Sequence, residues 1–180
     1  MDEVESLTCA FDPLQMLKLW HLQDRTFKRP IAEFRVQLHC AEANKTPLHS
    51  ACGDLLVHLV CDALTETAYL ASVCELGSYL ATNDGGFYMR VHGFDDKLLD
   101  LFDTIFEVFM QFKGRSDGSL PESIRSERFD LCLETYRRQC INSGMKAAAL
   151  ATNLRIYCLR PTSWSSQQKV NILTAACSYP

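Results

Sequence analysis

The chain has 180 residues, of which 47% are hydrophobic and 22% charged, and its formal net charge is −4. This composition is typical of one soluble globular domain with a sizeable core, and it argues against a disordered, collagenous or fibrous chain. The weak negative charge provides no basic footprint for phosphate groups, so we expect no nucleic-acid partner.

The sequence also allows predictions about membrane-spanning segments and about the state of its cysteines. The sequence contains no run of about 18 apolar residues, which predicts no membrane-spanning segment. Its first residues, MDEVES, are acidic and no apolar run follows them, so we expect no signal peptide. Nine cysteines are scattered through apolar patterns without a CxxC unit. This favours buried, reduced thiols in a cytoplasmic protein over a zinc knuckle or a redox motif.

The first predicted elements are strands. Residues 1–15 carry little pattern, whereas residues 17–23 are predicted as a strand around Trp20. A polar turn follows, and residues 32–40 alternate between apolar and polar side chains. Such alternation predicts a strand with one face on the core. We expect the two strands to pair as an antiparallel hairpin.

Two helices and a third strand come next. Thr46 and Pro47 form a helix cap followed by proline at the first helical position, and this helix is expected to reach about Leu64. A second helix is predicted over residues 66–80. Residues 82–86 are typical of a turn, and the alternation over residues 87–92 predicts a strand.

The second half of the chain is predicted to be helical. Asp95 or Asp96 caps a helix whose apolar residues recur at helical spacing as far as Phe112. A loop is expected at 113–121. Three more helices are predicted, at residues 122–142, at 146–159, and from position 163 or 165 to about 176.

This order of elements indicates an α+β domain with helices packed on one face of a largely antiparallel sheet. Three strands are few for so many helices. We therefore expect further strands after Pro180 and a fold that is incomplete at its C-terminus. In this interpretation residues 1–15 are a poorly patterned segment, and residues 16–180 are a truncated domain.

The most promising metal pattern is H-x2-C-x5-H-x2-C, formed by His49, Cys52, His58 and Cys61. On one continuous helix of about 3.6 residues per turn, the first pair and the second pair face opposite sides. Four-fold coordination would require a broken helix. We therefore predict no metal ligand here and interpret His58 as a surface side chain.

Asp54 and His58 lie one turn apart on the polar face of that helix, where a carboxylate can orient an imidazole for general-base work. We interpret them instead as a solvated i,i+4 pair, because no nucleophile or G-x-S-x-G elbow accompanies them. Residues 83–86 lack the lysine and the following helix of a phosphate loop. We predict no catalytic residue, no metal ligand and no bound cofactor, and the substrate-binding residues stay unknown.

Several short motifs nevertheless share the order and spacing of one family. They are Leu19, Trp20, Gln23, Asp24, Phe27, Pro30, Asp62, Leu64, Glu66, Ala68, Tyr69, Ala71, Leu76, Tyr79, Leu80, GFYMRVHGFDDKL at 86–98, ERFD at 127–130, Glu134, Tyr136 and Trp164. Through them the chain resembles, over about residues 17–175, the middle region of the insulinase-type (pitrilysin, M16) zinc metallopeptidases.

The resemblance implies a larger enzyme of four related α+β domains, arranged in two halves that close around a chamber. The first domain would hold the zinc motif H-x-x-E-H. The third domain, which this chain resembles, would be non-catalytic and would help to confine peptides. No position of this chain matches H-x-x-E-H, so no zinc ligand carries over and we expect the chain alone to be inactive.

The partners that the resemblance implies are a catalytic M16 domain with its zinc, in cis or in trans, and peptide substrates in the assembled enzyme. The alternative is a stand-alone protein-interaction module that keeps the fold without peptidase activity.

Overall fold

The computed structural model describes residues 8–12, 16–112, 126–160 and 163–176. By its internal contacts the chain divides into two compact units, Met1–Ile31 and Ala32–Pro180. The first unit contains an antiparallel pair of strands, β1 (Thr8–Asp12) and β2 (Leu17–His21). The domain boundary predicted after residue 15 stays a prediction.

The second unit is built on a three-stranded sheet of order β3-β5-β4. Its strands are β3 (Ile31–His39), β4 (Gly77–Asn83) and β5 (Gly86–Phe94). Strands β4 and β5 pair antiparallel, with Leu80 opposite Met89. At the other edge the end of β3 meets the start of β5, where the Cys40 N–H donates to the Gly85 carbonyl at 2.8 Å. Strand β3 therefore also runs antiparallel to β5.

Six α-helices lie in the described residues. They are α1 (Pro47–Ala63), α2 (Thr65–Val73), α3 (Leu98–Gln111), α4 (Ser126–Asn142), α5 (Ala147–Leu159) and α6 (Ser166–Ala176). The predicted cap of α1 is confirmed, because Thr46 Oγ1 accepts a hydrogen bond from the His49 N–H at 3.3 Å. No single helix in the described ranges has the length and apolarity to cross a bilayer, and only α1 and α2 together, bent by 61°, meet that test.

The main core lies between the sheet and helices α1 and α3. Val60 of α1 and Val91 of β5 are almost fully buried there, with Leu101 and Ile105 of α3 beside them. A second cluster joins α1 to α4 and α6; its buried members are Ala51, Leu55, Cys132, Tyr136 and Leu173. The predicted class, an α+β domain with helices packed on one face of a largely antiparallel sheet, is confirmed.

The predicted pairing of the first two strands is wrong. Strand β2 pairs with β1, which lies in the segment predicted to have little pattern, and β3 pairs with β5 instead. Strand β1 has only five residues, one of them aromatic, and they show no alternation of apolar and polar side chains that would predict a strand. The hairpin expectation rested only on nearness in sequence, which does not determine strand partners.

The second predicted helix is too long. Helix α2 ends at Val73, and Gly77–Asn83 form β4. The chain turns at Glu75, whose φ is 59°, and Gly77 follows. A two-residue Asp-Gly connection then joins β4 to β5, and such a connection needs a strand on each side. The turn was recognised at residues 82–86, but the strand that it requires before it was not.

Two further expectations concern other parts of the chain. The loop at 113–121 and the start of the helix predicted at 122 lie outside the described residues; α4 is described from Ser126. The prediction of buried thiols is wrong for most described cysteines: Cys132 is buried and Cys140 half-buried, whereas Cys40, Cys52, Cys61, Cys74 and Cys158 are exposed. A cysteine fits an apolar pattern in the sequence, but it does not show whether other parts of the fold cover that position.

Truncating the buried side chain of Val60 tests the main core. Val60 is 0% exposed, so Val60→Ala is expected to lower the free energy of unfolding by about 2 kcal/mol, from lost transfer energy plus a cavity. Val73→Ala is the matched control because Val73 is 66% exposed, and we expect it to change stability by less than about 0.5 kcal/mol. Denaturant unfolding of both variants gives the comparison, and equal losses would contradict this assignment of the core.

Candidate functional site

A polar cluster lies where α1 meets β4, α4 and α6, and the carboxylate of Asp54 is its centre. Asp54 Oδ1 accepts a hydrogen bond from Thr82 Oγ1 at 2.5 Å. Asp54 Oδ2 accepts one from the Tyr136 hydroxyl and one from Lys169 Nζ, each at 2.8 Å. The side chains of Asp54 and Lys169 are only 19% and 17% exposed, so this ion pair is largely removed from water.

His58 lies beside this carboxylate, one helical turn further along α1. Its Nδ1 lies 2.8 Å from the backbone carbonyl oxygen of Asp54, which can only accept, so Nδ1 carries a proton. Its Nε2 lies 2.8 Å from the side-chain amide of Gln139, and its ring packs edge-on to Tyr136 at 5.3 Å. Both ring nitrogens are therefore engaged by neighbouring groups.

The cluster forms one wall of an open groove of about 420 Å³. Hydroxyl groups dominate its polar lining; they come from Thr82, Tyr136, Ser143 and Ser166. Ser143 Oγ lies 2.9 Å from Ser166 Oγ and 2.7 Å from the Cys140 carbonyl. The polar groups thus bind mainly to one another.

Burial controls the acidity of the titratable hydroxyl and thiol in this cluster. Burial, followed by the negative charge and hydrogen bond of Asp54, raises the pKa of Tyr136 far above its ordinary value. Burial also raises the pKa of the Cys140 thiol, although the neighbouring Tyr136 hydroxyl and the positive charge of Lys169 act against it. Tyr136 and Cys140 are therefore neutral at physiological pH and are not activated nucleophiles or bases.

The interpretation of Asp54 and His58 as a solvated pair is wrong. The Asp54 carboxylate does not face His58 through water; it binds three donors from β4, α4 and α6. These donors come from positions 28 to 115 residues further along the chain, and they cover the polar face of α1. The helix pattern alone could not show that other elements would pack there.

Sequence reasoning missed Lys169 as a member of this cluster. One signal was available, since Lys169 is the only charged residue of α6, whose sequence is SQQKVNILTAA. A single charge on an otherwise neutral helix is often paired when that helix is packed. Tyr136 was noted for the family resemblance alone, and no local motif identified it as a hydrogen-bond donor to Asp54.

The residues of the H-x2-C-x5-H-x2-C pattern do not fit a zinc ion. They lie on one continuous helix, α1, with His49 Nδ1 engaged by Thr46 Oγ1 at 2.8 Å and both nitrogens of His58 engaged elsewhere. Within the described ranges, no three His, Cys, Asp or Glu side chains come close enough to hold a metal ion. That the chain holds no metal and no catalytic residue stays a prediction.

The neutral state of Tyr136 predicts a dependence of stability on alkaline pH. Below about pH 10 the Tyr136 phenol is neutral in both the folded and the unfolded chain, so its contribution to stability is complete. Above that pH the unfolded chain ionises while the buried phenol does not, because its pKa is raised on folding. The free energy of unfolding then falls by up to about 1.4 kcal/mol per pH unit for this one group.

Tyr136→Phe should therefore cost about 1–2 kcal/mol at pH 8, where a hydrogen bond to a carboxylate is lost, and less at pH 11. Urea unfolding at both values measures the difference. Tyr69→Phe is the control at pH 8, because Tyr69 is 68% exposed. It should lower the free energy of unfolding by less than about 0.5 kcal/mol. A cost of Tyr136→Phe that grows with pH would contradict the prediction.

A family model and the curated relatives agree on one family. The model described as "Middle or third domain of peptidase_M16" matches residues 12–172. Rat nardilysin is 29% identical over 155 residues, which cover 86% of this chain and 12% of nardilysin. Human insulin-degrading enzyme is 32% identical over 127 residues, which cover 71% of this chain and 12% of that enzyme. The chain thus spans about an eighth of the curated relatives it matches.

The fold has a counterpart among solved structures. The crystal structure of pitrilysin superposes with a TM-score of 0.74 and 17% sequence identity, over 88% of this chain and 16% of the pitrilysin chain. At this identity the likeness describes the fold alone.

Proposed function

Because the chain belongs to the M16 peptidase family, as its middle or third domain, we propose that it is a non-catalytic, chamber-forming domain of an insulinase-type zinc metalloendopeptidase. In this proposal a catalytic M16 domain, in the same chain or in another, holds the zinc and cleaves peptide substrates in the cytoplasm. The match to the middle-domain model over residues 12–172 is the observation that carries the proposal.

The chemistry of the polar cluster supports a non-catalytic role. The Asp54 carboxylate already accepts three hydrogen bonds, and both nitrogens of His58 have partners. A general base needs a free lone pair within reach of a substrate proton, and most of the accepting capacity of these groups is already used within the protein. The sequence also contains no H-x-x-E-H motif. The cluster is best suited to holding α1, β4, α4 and α6 together.

Exposed apolar helix faces support a place in a larger protein. On α2, Tyr69, Leu70 and Val73 are each between 64% and 68% exposed. On α5, Leu154 is 53% and Leu159 is 73% exposed. Apolar patches of this kind commonly mark contacts with another protein surface. The relatives are about six to seven times as long as this chain, so they contain the additional protein that such faces would contact.

A chimera tests the proposal directly. The segment of human insulin-degrading enzyme that matches this chain is replaced by residues 12–172, and zinc-dependent cleavage of a quenched fluorescent peptide is measured. We expect the chimera to cleave the peptide, a version without the segment to be inactive, and the isolated chain to be inactive with added zinc.

Two results would contradict the proposal. Turnover by the isolated chain, lost in His58→Ala, would make it an enzyme in its own right. A folded but inactive chimera, together with a stable complex between the isolated chain and a protein that is not a peptidase, would favour the stand-alone interaction module. The chimera carrying the enzyme's own segment, rebuilt through the same junctions, controls for damage at the junctions.

A further inference from the structure

The sheet face opposite the helices carries a cluster of charged side chains from β3 and β5. Glu33 and Arg90 are in contact across the two strands, and Arg35 lies two residues after Glu33 on the same face. The side chains of Arg35 and Arg90 are 61% and 38% exposed. With one carboxylate and two guanidinium groups, the cluster has an excess of one positive charge.

The two arginines compete for one carboxylate oxygen. Arg35 Nε donates a hydrogen bond to Glu33 Oε1 at 2.6 Å, and Arg90 Nε contacts the same oxygen. Arg90 Nε is nevertheless buried without a hydrogen bond of normal geometry. A guanidinium has five N–H donors, and within the described residues no group accepts a hydrogen bond from the Nη nitrogens of either arginine. A second carboxylate would satisfy donors that Glu33 cannot.

Glu33 itself is firmly ionised. The hydrogen bond from Arg35, together with the close contact of Arg90 and the positive charges of both, outweighs burial and lowers the pKa of Glu33. The cluster therefore keeps its single excess positive charge across the physiological pH range.

Two tyrosines lie next to the arginines. Tyr79 of β4 is paired with Arg90 of β5, and the ring centroids of Tyr79 and Tyr88 lie 6.2 Å apart. Tyr79 is 57% exposed. The rings provide an accessible apolar surface beside the unused guanidinium donors, which suits the side chains and backbone of a peptide better than a small inorganic anion.

We propose that this sheet face binds an extended acidic peptide segment, with Arg35 and Arg90 each receiving one carboxylate and the two tyrosines contacting the residues between. The Cys40–Gly85 hydrogen bond sets a register in which Arg35 lies opposite Arg90 on the neighbouring strand. Their backbones are then about 5 Å apart, and the long side chains can reach two separate carboxylates. Alternate residues of an extended peptide present side chains on one face, about 6.5–7 Å apart. The guanidinium fork matches a carboxylate in a bidentate manner. This binding is a property of the chain itself and does not depend on the proposed peptidase role.

Fluorescence anisotropy with the full chain tests the proposal. The probe is a labelled, threonine-rich heptapeptide with glutamate at two alternate positions, and the comparison peptide has glutamine at both. At low ionic strength we expect the glutamate peptide to bind at least tenfold more tightly than the glutamine peptide. Arg35→Gln and Arg90→Gln should each weaken binding at least tenfold. Arg138→Gln, which removes an exposed arginine paired with Glu134 on α4, should weaken it less than twofold.

Glu33→Gln gives the sharpest test, because it is expected to strengthen binding. It removes the carboxylate that competes for both arginines, so the glutamate peptide should bind at least threefold more tightly. Weaker binding by Glu33→Gln, or an unchanged affinity in both folded arginine variants, would overturn the proposal. Displacement of the peptide by inorganic phosphate at equal molar concentration would also overturn it, in favour of a site for small anions.

Discussion

Replacing Asp54 with alanine is expected to lower the free energy of unfolding by about 3–5 kcal/mol, which is a large share of the stability of an ordinary domain. The substitution removes the acceptor for Thr82, Tyr136 and Lys169 together. It leaves the Lys169 ammonium, 17% exposed, without its counter-charge. Most of the cost comes from this unpaired charge, since the net contribution of a neutral hydrogen bond is only about 1 kcal/mol.

A double variant separates the charge from the shape of the side chain. Lys169→Met removes the ammonium and keeps an apolar side chain of similar length. In the Asp54→Ala background it should recover about 1–3 kcal/mol, because no buried charge is then left unpaired. If Lys169→Met makes Asp54→Ala less stable still, the interpretation of Lys169 as the main source of the loss is wrong.

Asp62 provides a matched control on the same helix. Arg128 Nε donates to Asp62 Oδ2 at 2.8 Å, but the Arg128 side chain is 59% exposed. An ion pair this open to water contributes little, and Asp62→Ala should cost less than about 1 kcal/mol. Urea unfolding at one pH measures the free energy of unfolding of Asp54→Ala, Asp62→Ala and the double variant. Equal losses at Asp54 and Asp62 would contradict the distinction between a buried and an exposed pair.

The contrast between these two aspartates shows what the helix pattern could and could not predict. The sequence correctly predicted helix α1, and Ala51, Leu55 and Val60 on it are buried. Its polar face, with Asp54 and His58, was expected to be solvated. In the structure Tyr136 of α4 and Lys169 of α6 cover Asp54, whereas Asp62 pairs with the exposed Arg128. Amphipathic periodicity describes one helix, and it contains no information on long-range partners.

The strands show a similar limit. Strand β3 was predicted within a residue or two, because its alternation reflects one covered face and one wet face. Strand β4 was assigned to a helix because Leu76, Leu80 and their neighbours also satisfy a helical spacing over so short a run. Its true conformation depends on pairing with β5 through the turn at residues 84–85. A turn of this kind is therefore stronger evidence for a strand before it than the apolar spacing is for a helix.

Family resemblance supplied what local chemistry could not. No single motif in the chain is specific, and no cluster visible in the sequence predicted the polar centre around Asp54. The ordered set of weak matches, including GFYMRVHGFDDKL at 86–98, was enough to indicate the M16 family, and the match to its middle domain confirms this. This run begins at Gly86, where the sheet tolerates no side chain.

Gly86→Ala is expected to lower the free energy of unfolding by at least about 3 kcal/mol. Gly86 has a φ of 133°, a conformation that a residue with a side chain rarely adopts. A Cβ atom there would lie 2.3 Å from the Leu38 carbonyl oxygen and 2.8 Å from the Cys40 nitrogen. Both are backbone atoms of the neighbouring β3 region, so they cannot move aside without breaking the pairing of β3 with β5.

Gly85→Ala is the matched control for this clash, since it makes the same substitution one residue earlier. A Cβ at Gly85 would come no closer than 3.4 Å, to the flexible side chain of His39, and its backbone is not in the strained region. We expect a loss below about 1 kcal/mol for this variant. Thermal and urea unfolding of the two alanine variants measures the difference. If they are equally stable, β3 does not approach β5 as closely at Gly86 as described, and the placement of β3 beside β5 would have to be revised.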